Sequence, residues 1–150
     1  MYSGLLHAHS GLRYIVLLLL VLAIIRAALS LKNKQPFGKG HKMLYMFAMV
    51  STHIQLVIGL FLYLISPVIE VAMSDMGMAM KDKTLRFWAV EHFSMMLIAI
   101  VLITAGYSLS KRSKEDSQKH KRVLIFYSIG LLLILASIPW PFSQVARGWF

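Results

Sequence analysis

The sequence predicts an all-α fold, an integral membrane four-helix bundle that forms one domain over residues 1–150. Of its 150 residues 58% are hydrophobic, and the mean hydropathy is +0.68, which is too apolar for an ordinary soluble domain. Four apolar stretches are each long enough to cross a hydrocarbon core about 30 Å thick as a helix. The length of the chain suits one compact unit built from these four helices.

The four predicted spans cover residues 12–31, 43–66, 85–107 and 123–138. A turn with proline and glycine separates the first two, a connection of mixed charge follows the second, and a charged connector precedes the fourth. Pro139 and Pro141 mark the end of the last span. No basic segment follows Met1, and Arg26 and Lys32 lie after the first apolar run rather than before it, so we expect no cleavable signal peptide.

The net charge of +10 is concentrated in two of the three connections. By the positive-inside rule the two basic loops face the cytoplasm, and both termini and the middle connection lie outside. Attraction to anionic lipid adds to this preference. The bilayer is therefore the expected partner of the basic residues, and no nucleic acid is needed to explain them. The basic residues are Lys32, Lys34, Lys39 and Lys42 in the first loop and Lys111, Arg112, Lys114, Lys119, Lys121 and Arg122 in the third.

Three histidines, His9, His53 and His92, lie in or at the edge of three different spans. Imidazole nitrogens are costly in hydrocarbon, so each requires a partner. The chain has no cysteine, which excludes iron–sulfur ligation and covalent haem attachment and leaves histidine and methionine as ligands. We expect a non-covalent haem b that uses His92 with either His53 or His9. The alternative is a protein without a cofactor, in which the histidines bond to neighbouring helices.

Helical spacing places small residues near these histidines. Gly59 adjoins the face of His53, and Ala99 and Gly106 share the face of His92, where a flat ring or a neighbouring helix could approach. The first-span face that carries His9 also contains Leu5, Arg13, Val16, Leu20, Ala23 and Ala27.

The rise per residue of an α-helix places two charged residues, Arg13 and Glu91, at nearly the same depth near the outer face. The expectation is an ion pair between them, and the alternative is that Arg13 binds a haem propionate. The other three histidines, His7, His41 and His120, are expected to be interfacial.

A methionine-rich segment, Met73-Ser-Asp-Met76-Gly-Met78-Ala-Met80, lies in the outward connection. Thioethers are soft ligands that favour Cu(I), so copper handling is one hypothesis. Packing of flexible apolar side chains against the membrane is the alternative. Aromatic residues gather near the outward ends, as is usual at the headgroup level. They are Trp88, Trp140, Trp149 and Phe150.

Three segments resemble those of short four-span bacterial membrane proteins described as cytochrome b-like. They are LHAHSGLR at residues 6–13, THIQLVIGL at residues 52–60 and EHFSMM at residues 91–96. The chain is also loosely similar to one half of haem A synthase, although its fourth span has no histidine. The resemblance implies b-haem binding and electron transfer in the bacterial cytoplasmic membrane, with His9, His53, His92 and Arg13 at the site.

We therefore expect electron transfer within, or to, a respiratory membrane complex. Other membrane subunits or a second copy of the chain are the expected protein partners, and a quinone is a further candidate. A cofactor-free accessory subunit is the main alternative function. A copper-handling protein that uses residues 73–80 is a third.

Overall fold

The computed structural model describes residues 1–143 and residue 145, and its regular elements are helical. Four helices are long and apolar enough to cross a membrane, which confirms the predicted multi-pass four-helix bundle. Of the aromatic residues expected at the outward ends, Trp149 and Phe150 lie outside the described residues. The elements are α1 (Tyr2–Lys32), α2 (Lys39–Ile65), α3 (Pro67–Ser74), α4 (Met76–Ala79), α5 (Lys83–Arg86), a π-helical turn (Phe87–Glu91), α6 (His92–Arg112) and α7 (Asp116–Ser137).

The first helix is ten residues longer at its start than the predicted span. It begins at Tyr2 although two glycines and two serines precede residue 12, and these residues are poor helix formers. The extension carries His9 onto the bundle, where its backbone carbonyl accepts a hydrogen bond from Gln55 Nε2 at 2.8 Å. Tertiary contact of this kind overrides weak local propensity.

The four long helices form a ring in which each has two neighbours. Helix α1 packs on α2 and α7, α6 packs closely on α7, and α2 meets α6 more sparsely. Helices α1 and α6 therefore face each other across the bundle. Hereafter the outer end is the end that holds the N-terminus of α1 and helices α3 to α5, and the inner end is the opposite one.

Small residues let α6 and α7 approach closely. A Cβ added at Gly106 would lie 2.5 Å from Phe126 Cβ, and one added at Gly130 would lie 2.7 Å from Ile103 Cγ1 and 3.2 Å from the carbonyl oxygen of Ala99. Of the flat ring and the neighbouring helix that could approach Ala99 and Gly106, the structure places the neighbouring helix there.

The predicted inward face of the first span is confirmed by burial. The buried residues on it are Val16, Leu20, Ala23 and Ala27.

The inner end is closed by a polar cluster that includes two histidines expected at the interface. Both do lie near the inner ends of their helices, but His41 is 6% exposed and His120 is fully buried. His41 Nδ1 accepts a hydrogen bond from the backbone N–H of Gly38 at 3.2 Å. His120 Nδ1 lies 2.9 Å from the Tyr45 hydroxyl. Both side chains can be buried because each ring finds a hydrogen-bond partner, and the two rings pack edge to face with their centroids 4.7 Å apart.

The outer end is built from short helices with aspartate caps. Asp75 accepts from the backbone N–H of Met78, and Asp82 accepts from that of Leu85. The methionine side chains expected either to bind copper or to pack are about half exposed here, at Met73, Met76, Met78 and Met80. Both interpretations of this segment stay predictions.

Substitution of Gly106 tests the close packing of α6 on α7. Gly106→Ala would force a methyl group against Phe126, so we expect a net destabilisation of about 1–2 kcal/mol after the gain in helix propensity is subtracted. Thermal unfolding in detergent, followed by circular dichroism, measures it. Gly11→Ala is the control, because its Cβ would meet nothing within 4 Å. Equal melting temperatures for the two variants would contradict this account.

Candidate functional site

A cavity of about 160 Å³ lies at the outer end of the bundle. Residues from all four long helices line it. His9 and Arg13 come from α1, Gln55 and Gly59 come from α2, and His92 comes from α6. The rest of its wall is mainly apolar, with Leu6, Val16, Leu56, Ile69, Phe93, Met96 and Ile134 among the lining residues.

His9 is held against α2 by two contacts. Its backbone carbonyl accepts from Gln55, and its ring lies on Gly59, where an added Cβ would be 3.1 Å from His9 Cε1. Gly59 therefore makes room for the imidazole of His9. The Nδ1 atom of His9 and the Oε1 atom of Gln55 are buried and make no hydrogen bond within the described chain.

His92 is oriented by the end of α7. Its Nδ1 lies 2.8 Å from the carbonyl oxygen of Ser137, and because a carbonyl can only accept, Nδ1 carries the proton. The ring also contacts Phe87 and Trp88, with centroids 5.8 and 5.6 Å away. The π-helical turn brings both aromatic residues to it, since the backbone N–H of His92 bonds to Phe87 five residues earlier.

The predicted ion pair between Arg13 and Glu91 is replaced by local contacts. Glu91 Oε1 lies 2.6 Å from Nε of Arg86, which precedes it by five residues. The wide π turn places these two side chains on one face. Arg13 lines the cavity, and one of its terminal nitrogens donates to the Tyr14 hydroxyl at 3.1 Å. The expectation failed because equal depth does not bring two side chains together: the Glu91 side chain is 47% exposed, whereas Arg13 lines the cavity.

His53 lies in a different place from the other two histidines. It lines a groove between α2 and α6 with Leu97, Val101 and Thr104. Its Nδ1 is 2.9 Å from the carbonyl oxygen of Met49, and its Nε2 is 3.3 Å from Thr104 Oγ1. Of the two arrangements left open by the sequence, the structure brings His9 and His92 to one cavity and gives His53 one hydrogen bond within α2 and one to α6.

Two residues that orient the cavity histidines were not recognised as such from the sequence. Gln55 could have been recognised from the sequence, because it is a polar amide in an apolar span and lies beside the face that carries His53. Ser137 acts through its backbone carbonyl, so its side chain carries no signal. The signal for Ser137 is instead Pro141, which lacks the N–H that an extended helix would offer to that carbonyl.

The side chains at the cavity match the donors of a haem site, although a cavity of about 160 Å³ would have to widen to admit the macrocycle. Within the described residues, no group of three or more histidine, cysteine, aspartate or glutamate side chains could hold a metal ion. A haem needs only axial ligands from the protein. Two imidazoles, an arginine and apolar walls are a donor set of the right chemistry, and the buried Nδ1 of His9 still requires a partner.

Comparisons with protein-family models, curated proteins and solved structures gave no significant match. The assignment of the site therefore depends on its own geometry.

Substitution of Gly59 tests whether the ring of His9 lies on this glycine. Gly59→Ala would push a methyl group against the imidazole ring, so we expect a changed chemical shift of the His9 ring in NMR spectra and a lower melting temperature. Gly40→Ala on the same helix is the control, because its Cβ has open space. An unchanged His9 resonance in Gly59→Ala would show that the ring does not lie on this glycine.

Proposed function

We propose that this chain is a b-type haem protein of the bacterial cytoplasmic membrane that transfers electrons within, or to, a respiratory membrane complex. The observation that carries the proposal is the placement of His9 and His92, from helices on opposite sides of the bundle, in the wall of one cavity. Facing helices of four-helix bundles supply cofactor ligands in this way. When bound, haem supplies a reversible one-electron couple at its iron.

The orientation of His92 suits an axial ligand. Metal-binding histidines usually donate their second ring N–H to a carbonyl or carboxylate, which fixes the tautomer and the ring plane. The bond from His92 Nδ1 to the Ser137 carbonyl meets this requirement. His92 would then coordinate through Nε2.

His9 is the second proposed ligand. Its main chain is tied to Gln55 and its ring is seated on Gly59, so the imidazole is held at the cavity before any ligand arrives. A buried ring nitrogen without a hydrogen bond is unfavourable in an apolar environment. A bound group would remove that cost.

Arg13 is the proposed partner of a haem propionate. It lies one turn below His9 on α1 and lines the same cavity. Its guanidinium stays charged at any physiological pH and can bind a carboxylate through two parallel hydrogen bonds. The Tyr14 hydroxyl accepts from one of its terminal nitrogens, which limits the positions that the side chain adopts.

A cofactor-free accessory subunit of a larger membrane complex is the second candidate function. The observation in its favour is that three other histidines already bond to neighbouring groups in the bundle. His53 contacts Met49 and Thr104, His41 contacts Gly38, and His120 contacts Tyr45. In such a protein, His9 and His92 would serve the same purpose.

Three alanine variants test the proposal. We expect His9→Ala and His92→Ala to bind haem at least about 10-fold more weakly than the parent, because each variant loses a ligand. Loss of a residue that only hydrogen-bonds to a ligand already weakens metal binding by about 10–100-fold. His53→Ala is the matched control and should bind haem normally. Haem titration of the purified protein and the reduced-minus-oxidised spectrum measure the effect.

Two results would contradict this assignment. Loss of haem from His53→Ala with normal binding in His9→Ala would move the second ligand to His53. A parent protein without a Soret band, which also refuses added haem, would favour the accessory subunit.

A further inference from the structure

Two prolines follow α7 and remove hydrogen-bond donors from its last turn. In a continued α-helix the carbonyl of each residue accepts from the N–H four residues later. Those donors would be residues 139 and 141 for Leu135 and Ser137, and both are prolines without an N–H. The carbonyls of Leu135 and Ser137 therefore need donors from elsewhere.

The structure supplies a side-chain donor to each carbonyl. Trp140 Nε1 donates to the Leu135 carbonyl at 2.9 Å, and His92 Nδ1 donates to the Ser137 carbonyl at 2.8 Å. The chain turns out of the helix at Ile138, whose φ of −72° and ψ of 131° are extended. A residue before proline is disfavoured in the helical region, so Pro139 ends α7 at Ser137.

We propose that the segment Pro139-Trp140-Pro141 is a positioning element that sets the tautomer of His92. Pro139 ends the helix, and Pro141 withholds the one N–H that would compete for the Ser137 carbonyl. That carbonyl then holds the proton of His92 on Nδ1. The lone pair of the neutral ring is consequently on Nε2.

The same contact has a consequence for ligand strength. A carbonyl that accepts from Nδ1–H makes the imidazole a more basic ligand through Nε2. A more basic axial ligand stabilises ferric over ferrous haem and lowers the reduction potential. This step rests on the proposed function, whereas the tautomer of His92 does not.

A purely structural role for the contact would be to hold α6 against α7. If this were the only role, loss of the hydrogen bond between His92 and Ser137 would lower the stability of the protein. In a variant that remains folded, it would not favour either tautomer of His92. The tautomer of His92 in the cofactor-free protein therefore separates the two roles.

The test compares a double variant with a matched single variant. Pro139→Ala combined with Pro141→Ala restores both N–H donors, so α7 can continue and the N–H of residue 141 can occupy the Ser137 carbonyl. Pro139→Ala alone leaves proline at 141, and the Ser137 carbonyl still lacks a helical donor. Nitrogen-15 NMR of histidine-labelled protein in detergent, without haem, reports the protonated ring nitrogen, and His92→Gln identifies the resonances.

We expect a pure Nδ1–H tautomer for His92 in the parent protein and in Pro139→Ala. The double variant should show a mixture or the Nε2–H form. After haem loading, the double variant should also have a higher reduction potential than the single variant.

Several results would overturn the inference. They are an Nε2–H tautomer in the parent protein, an unchanged tautomer in a folded double variant, or an equal change in both variants. The parent spectrum decides the matter even if the double variant does not fold. If the tautomers follow the expectation but the protein binds no haem, the positioning element stands and the proposed function fails.

Discussion

The structure depends on the free-energy cost of leaving a polar group without a partner inside an apolar bundle. The contacts at both ends of the bundle follow from it. At the inner end, His120 and Tyr45 are joined by a hydrogen bond at 2.9 Å. At the outer end, Ser137 offers a carbonyl to His92 and His9 offers one to Gln55. Each of these bonds ties one long helix to another.

The cavity exists because the helices of the ring do not pack equally closely. Gly106 and Gly130 bring α6 and α7 together until no methyl group could be added, while α2 and α6 meet more sparsely. The cavity lies at the outer end, where the Gly59 position accepts the ring of His9. The inner end has an aromatic and polar cluster instead.

The same residue type serves two purposes in this bundle. His41, His53 and His120 each bond to a residue of another helix, namely Ser30, Thr104 and Tyr45, whereas His9 and His92 line a cavity. A histidine in a membrane span is therefore not by itself evidence of a ligand. What separates the two groups is the space beside the ring and the partner of each nitrogen.

The sequence by itself determined the four spans, the charged loops and the inward face of α1. These features follow from composition and from the helical repeat, and neither depends on how the helices pack against one another. The tertiary structure decided that His9, not His53, shares the cavity with His92, and that Gly106 admits a helix. A period shows which residues share a face but not which helix that face meets. One π turn before His92 also changes the register of everything that precedes it.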